Sequence, residues 1–363
     1  METNNIKQLR EFGQSIWLDF LDRKLITSGG LAKLIEQDGL QGMTSNPAIF
    51  EKAISSSSDY DEQIKTLAYN YPDNEAIFYW LAISDIQNAA DLFKPLFDRG
   101  EDGYVSLEVS PRLAHDTNGT IKQAVELWRR VDRKNVMIKI PATVEGLLAI
   151  RRAISEGLNI NITLLFALDR YEQVAEAYLS GLEDRVAAGQ PIDHIASVAS
   201  FFLSRIDVLV DPILETKGLT QMKGKVAIAC AKKAYQIYKR IFAGERFQKL
   251  QAMGAKPQRL LWASTATKDP SFPDTKYIEA LIGKDTINTV PTETLEAYRD
   301  HGRPENRLER DIDKAEQVLE QLKEIGIDLN SLANQLEKEG IEKFNKPYDQ
   351  LLLAIEEKKQ QIN

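Results

Sequence analysis

The chain has 363 residues, 43% hydrophobic and 28% charged, which is the profile of a soluble globular protein with room for one large α/β domain or two ordinary ones. A net charge of −8 argues against nucleic acid as a bulk electrostatic partner, although a few local cations suffice for a small anionic substrate. The single cysteine, Cys230, allows no intrachain disulfide and no thiolate metal cluster, and it fits a reducing compartment.

The opening stretch Met1-Glu2-Thr3-Asn4-Asn5-Ile6-Lys7-Gln8 lacks the basic and apolar regions of a signal peptide. The apolar run 76–83 is too short to span a bilayer, so a cytoplasmic protein without a membrane partner is expected. Beyond residue 14 the apolar period switches repeatedly between strand-like and helix-like. Strands are expected at 15–20, 41–46, 104–110, 135–140, 159–165, 195–201, 259–265 and 286–290. Helical patterns lie between them, clearest at 31–37, 121–130, 144–156 and 167–187. Segments 51–97 and 204–254 are long enough for extra helices, and residues 293–363 read as wholly helical. The serine run 55–58 reads as a loop and helix cap. Eight strands alternating with helices, with no repeat and no linker, predict one (β/α)8 barrel over 1–363. Its additional helices include a carboxy-terminal part, 293–363, packed on the barrel.

Four strands run into proline: Asn46-Pro47, Ser110-Pro111, Ile140-Pro141 and Val290-Pro291. Proline donates nothing to a ladder, so each marks a strand exit. The fourth strand, Asn135-Val136-Met137-Ile138-Lys139-Ile140, is interrupted by one charge two residues before its proline. An ammonium there must be paired, hydrated or neutral. A neutral lysine amine is the nucleophile that forms Schiff bases with carbonyl substrates, whereas a lysine guarding an exposed edge is the plainer reading.

Strand parity bears on that choice, because alternate side chains of a barrel strand point inward. Asn135, Met137 and Lys139 share one parity of their strand. Asn159, Asn161 and Thr163, then Tyr104, Ser106 and Glu108, then Ser15, Trp17 and Asp19, do so in theirs, and Thr44 and Asn46 close the second strand. A closed barrel has no edge to guard. Polar residues gathered inside its carboxy-terminal rim suggest a site for a hydroxylated small molecule, or else a buried polar network that fixes register. Other chemistries lack their motifs: there is no G-x-x-x-x-G-K-[ST] loop, no G-x-G-x-x-G turn and no G-x-S-x-G elbow. His115, His194 and His301 form no close pair, which argues against a histidine-bound catalytic metal. His115-Asp116 reads as a loop or cap, and Cys230 as a small core residue.

Thr44-Ser45-Asn46-Pro47, Val105-Ser106-Leu107-Glu108-Val109, Ile138-Lys139-Ile140-Pro141-Ala142-Thr143 and Asn161-Ile162-Thr163-Leu164-Leu165-Phe166 resemble, in order, the signature segments of the transaldolase family. Trp262-Ala263-Ser264-Thr265, Asp285 through Pro291 and the tail Leu336 through Phe344 extend the resemblance over nearly the whole chain. Its length and its Leu-Glu-Val-Ser-Pro form are similar to the long bacterial branch. The resemblance implies a cofactor-free, metal-free Schiff-base enzyme of the pentose phosphate pathway. Such an enzyme moves a dihydroxyacetone unit from sedoheptulose 7-phosphate to glyceraldehyde 3-phosphate. By the same match Lys139 is the Schiff-base lysine, Glu108 the acid/base acting through a water, Asp19 the base for carbon–carbon cleavage, and Thr163 the holder of that water. Thr44, Asn46 and Asn161 match polar positions near the intermediate. Ser200, Phe202 and Arg205 lie in the family's serine-to-arginine segment, with Arg205 and Ser264 as phosphate ligands. A second arginine of the shorter branches falls at Ala266 here, which leaves Lys268 as the candidate cation. A fructose 6-phosphate aldolase and a non-catalytic sugar-phosphate-binding barrel are the alternatives, and a monomer or homodimer is expected.

Overall fold

The structure, a computed structural model, describes residues 4–362; residues 1–3 of the opening stretch and residue 363 of the helical tail lie outside it. Eight parallel strands close into a barrel in chain order: β1 (Gln14–Asp19), β2 (Gly42–Thr44), β3 (Tyr104–Glu108), β4 (Val136–Pro141), β5 (Ile160–Leu165), β6 (Ser197–Phe202), β7 (Arg259–Ala263) and β8 (Thr286–Val290). β8 returns to pair with β1. The longer helices are α1 (Pro47–Ser55), α2 (Asp61–Asn70), α3 (Asn74–Asp98), α4 (Thr117–Val131), α5 (Val144–Ser155), α6 (Leu168–Ala187), α7 (Ser204–Thr216), α8 (Val226–Phe242), α9 (Thr292–His301), α10 (Ile312–Glu324) and α11 (Leu329–Ile362). No helix among the described residues is long and apolar enough to cross a membrane.

Local chemistry sets these elements. Asp116 caps α4 by accepting from the Gly119 amide, and Thr120, Ala124, Leu127 and Val131 then recur on its buried face. Thr143 caps α5 in the same way, through the Gly146 amide at 2.9 Å. The barrel base is plugged by Trp17, whose indole donates to Asp102 at 3.0 Å, while Arg259 pairs with the same carboxylate at 2.8 Å. Gly42 faces this indole; a Cβ there would lie 2.5 Å from the ring. The inward parity of β1 therefore carries a hydrophobic plug at the base and Asp19 at the opposite, carboxy-terminal end. Behind that end, buried Asp85 of α3 accepts from Arg23 and Tyr60, both at 2.9 Å, and ties down the loop after β1.

Several boundaries differ from the sequence expectation, each for a physical reason. β2 stops at Thr44 because Asn46 turns to cap α1 through the Ile49 amide and Pro47 opens that helix. Pro141 stays in β4 as its last position, opposite Thr163. The serine run closes α1 rather than opening α2: Ser55 is the last residue of α1, Ser56 is its C-cap on the Lys52 carbonyl, Ser57 accepts from the Asp59 amide, and Tyr60 precedes α2 without a side-chain cap. The 31–37 pattern becomes a short α-turn, Gly30–Lys33, followed by a wider π-turn, Leu34–Asp38. The tail is not wholly helical. The chain leaves α9 at Gly302, passes Pro304, and resumes at Ile312, with the Arg307 and Arg310 carbonyls held by Lys232.

Gly146 illustrates how tightly the loop after β4 is set. A Cβ there would lie 2.0 Å from the Pro141 carbonyl oxygen, which is backbone and cannot swing aside. Gly146→Ala is expected to lower stability by about 1–3 kcal/mol, read as a lower urea midpoint at unchanged slope. An unchanged midpoint would show that this loop has slack the geometry denies.

Candidate active site

The carboxy-terminal mouth of the barrel is lined by Asp19, Thr44, Asn46, Lys139, Thr163, Ser200, Phe202, Arg205, Ala263, Ser264, Thr289 and Phe344 around about 90 Å³ of free space. Strand register places its centre: Glu108 of β3 sits opposite Lys139 of β4, which sits opposite Asn161 of β5. Lys139 is only 5% exposed. Its amine donates to the Ser45 carbonyl at 2.9 Å and lies 3.2 Å from Glu108 Oε2. The second contact is one of charge, since no donor is properly aimed at Oε2.

Burial pushes the Glu108 carboxyl above its ordinary pKa; Lys139 opposes that shift and Asp19 reinforces it. Asp19 is also raised, chiefly by burial, against the pull of Lys139, a hydrogen bond from Thr44 and the more distant Arg205. Thr44 Oγ1 is 2.7 Å from Asp19 Oδ1 and 2.8 Å from the Thr289 hydroxyl. The two carboxyls thus share one cation yet sit in different surroundings. This is how two like groups acquire different proton-transfer tasks.

Asn161 anchors the floor. Its amide donates to Ser106 Oγ at 3.0 Å and its carbonyl accepts from Ser200 Oγ at 2.7 Å. Thr163 is fully buried, and its hydroxyl has no partner within the protein. Asn46 spends its carbonyl oxygen on the α1 cap, which fixes the side chain at the rim. On the far wall Arg205, near the start of α7, lies over the Phe202 ring at 5.3 Å, and Phe202 rests on Phe166 at 5.4 Å. Burial lowers the pKa of this guanidinium, and one of its terminal nitrogens is buried without an acceptor. Ser264 holds the Ser204 hydroxyl at 2.8 Å from a left-handed backbone position, φ 54°, beside Arg205.

Most sequence-predicted residues therefore converge, and Lys268 does not. Lys268 lines a neighbouring groove with Asp207, Asp211, Thr267 and Asp269. The chain turns away after Thr265, whose hydroxyl donates to the Thr289 carbonyl at 2.8 Å. Arg205 and Lys139 are the cations that line the mouth among the described residues. His115 stays outside, 3.1 Å from Glu145 on the surface, and Asp116 serves as the α4 cap. Burial pushes the Cys230 thiol up to about 12, which leaves it an unreactive core group. Three lining residues escaped the sequence reading: Ala263, Thr289 and Phe344. Thr289 has the inward parity of β8 and was open to that reasoning, whereas Phe344 reaches the site from α11 and no local pattern marks it.

Comparison with known proteins fits this geometry. Residues 16–355 match the family described as Transaldolase/Fructose-6-phosphate aldolase. A protein named Transaldolase from Saccharopolyspora erythraea is 48% identical over 360 residues, covering 98% of each chain. One of the same name from Trichodesmium erythraeum is 46% identical, covering 99% of this chain and 98% of its own. Transaldolase 2 from Nostoc punctiforme is 47% identical at the same coverage.

The electrostatics of the mouth carry a direct consequence. Lys139→Ala removes the charge that opposes burial at Glu108 and Asp19, so both carboxyls are expected to titrate higher than in the wild type. A carboxyl group raised above its unfolded value favours the folded state below that value and loses the advantage as pH rises through the folded one. The variant should therefore lose stability more steeply than wild type as pH climbs above the ordinary carboxylate range. Infrared titration of the carboxyl band and urea melts across pH read both effects; identical titration in the two proteins would refute the coupling.

Proposed function

The chain belongs to the transaldolase/fructose-6-phosphate aldolase family, and we propose that it acts within that family as a transaldolase working through a Schiff base on Lys139. The observation that carries this reading is the buried Lys139 amine, 3.2 Å from Glu108 and coupled to Asp19 inside a mouth rich in hydroxyls and amides. The reaction moves a dihydroxyacetone unit from sedoheptulose 7-phosphate to glyceraldehyde 3-phosphate, giving erythrose 4-phosphate and fructose 6-phosphate.

In this reading the neutral amine attacks the donor's ketone carbon. Glu108, whose carboxyl is held above its ordinary pKa, takes up and returns protons as the carbinolamine loses water. Thr163, whose buried hydroxyl has no protein partner, positions the water that relays those protons. The resulting iminium is the electron sink. Asp19 removes the proton from the C4 hydroxyl, the C3–C4 bond breaks, and its electron pair moves into the iminium to form an enamine. An aldehyde leaves, the acceptor aldehyde enters, and the same steps reverse. Asn161, Asn46 and Thr44 supply hydrogen bonds for the sugar hydroxyls, while Arg205 with Ser264 receives the phosphate through charge-assisted bonds. Lys268 takes no part in this scheme, because it lines a different groove.

The iminium does the work a Lewis-acid metal does in other aldolases, so no metal or cofactor enters the scheme. We place the protein in the cytoplasm, acting on free sugar phosphates of the pentose phosphate pathway, without a nucleic-acid or membrane partner, as a monomer or homodimer.

Incubation with fructose 6-phosphate, with and without erythrose 4-phosphate, tests the transfer. Sedoheptulose 7-phosphate is expected only with acceptor, at a rate far above any release of dihydroxyacetone, and a chelator should leave it unchanged. Free dihydroxyacetone formed equally fast without acceptor would instead make the protein an aldolase. Lys139→Ala should abolish transfer while circular dichroism and a cooperative urea melt show the variant folded at the assay pH.

A further inference from the structure

Helix α11 runs across the barrel mouth, packing along α1, α2 and α3 and reaching β5 and α7. It is held on both sides. Toward its start, Glu337 lies 3.6 Å from Arg170, which itself donates to the Ala142 carbonyl just beyond β4. Further along, Tyr348 donates to Glu75 of α3, Asp349 pairs with Arg112 at 2.6 Å, and Lys358 reaches Asp61 of α2. Between these anchors Gly340 lets the helix settle close: a Cβ there would lie 3.0 Å from Leu164 and 3.5 Å from an Arg205 terminal nitrogen. One turn on, Phe344 points into the mouth. Its ring centre is 5.9 Å from the Lys139 amine and 5.9 Å from the Arg205 guanidinium carbon, and the side chain is 6% exposed.

From this placement we infer that Phe344 is the apolar roof of the reaction chamber, and that it governs how the three-carbon intermediate is partitioned between the acceptor aldehyde and water. The inference rests on the Schiff-base reading of Lys139. A sugar phosphate joined to Lys139 at its ketone carbon and to Arg205 at its phosphate spans the two groups that the ring covers. The mouth is tight beneath this ring: it holds about 90 Å³, below the roughly 300 Å³ or more of pockets that take small organic ligands. In this proposal Phe344 moves aside for substrate and returns over an intermediate left waiting.

The waiting species is an enamine. Its loss requires a proton at the nucleophilic carbon, which gives an iminium, and then one water at the imine carbon. The water oxygen becomes the ketone oxygen, the C–N bond breaks, and both water hydrogens pass to the lysine nitrogen as the ammonium. An apolar ring over this bond offers water no hydrogen bond and occupies its place. An acceptor aldehyde is far larger than one water, and its phosphate and hydroxyls find partners in the mouth, so it displaces the ring without leaving a void.

Phe344→Ala, with Phe344→Val as a milder truncation and Phe344→Leu as a replacement that keeps apolar bulk, tests the roof. The readout is the ratio of dihydroxyacetone released to sedoheptulose 7-phosphate formed, from fructose 6-phosphate with and without erythrose 4-phosphate. Thermal melts and circular dichroism establish folding. The ratio should rise about tenfold in the alanine variant, less in valine and least in leucine. A purely structural role would lower both products together and leave the ratio unchanged, which would overturn the proposal. Should alanine not fold, a raised ratio in valine supports the roof and an unchanged one overturns it. A wild-type protein that forms no sedoheptulose 7-phosphate at all would remove the underlying transfer reading instead, so the two failures remain distinct.

Discussion

Everything at the barrel mouth depends on keeping a basic amine out of bulk water beside a carboxylate. Two charges taken from water lose hydration, and their mutual attraction offsets that loss only with good geometry. The Lys139–Glu108 contact is buried, and Glu108 is pushed toward its protonated form. Glu108 is thus disposed to take up a proton beside a buried amine. A surface lysine would stay a hydrated ammonium beside a fully ionised partner, and neither would be ready to react.

The barrel supplies this environment through a division of labour along each strand. The base of β1 and β7 is filled by Trp17 and sealed by the Arg259–Asp102 pair, so polar groups need not extend through the core. One layer up, Ser106, Asn161 and Ser200 bond to one another and set the floor. Above them Lys139, Asp19, Thr44 and Thr289 face the opening. Partnerless polar atoms, Thr163 Oγ1 and an Arg205 nitrogen among them, occur at this level. A fold rarely leaves such groups unpaired unless a ligand or water completes them. Helix α11 then closes the chamber from outside, which adds protection at the price of access.

Much of this was legible in the sequence because it is local. β4 and β5 show period-two alternation and β-branched residues, β4 ends on a proline, and the inward parity follows at once. Lys139 stands out as a charge in an apolar run, and Glu108 and Asp19 follow from the same alternation on their own strands. Features that depend on distant contacts were hidden. Whether Lys268 turns toward Arg205 is decided by how Thr265 ties to β8, which spacing does not encode. Phe344 reads as one more apolar residue in an amphipathic helix; only the path of that helix across the mouth brings it to Lys139. The break in the tail at Gly302 and Pro304 was marked by residue type and outweighed by the helical pattern on both sides of it.

The central claim is that the Lys139 amine forms a covalent bond with the substrate. Reduction with borohydride in the presence of fructose 6-phosphate, followed by peptide mass mapping, tests it most directly. The account predicts one reduced three-carbon adduct, on the peptide that carries Lys139. No adduct, or an adduct on another lysine, would contradict it.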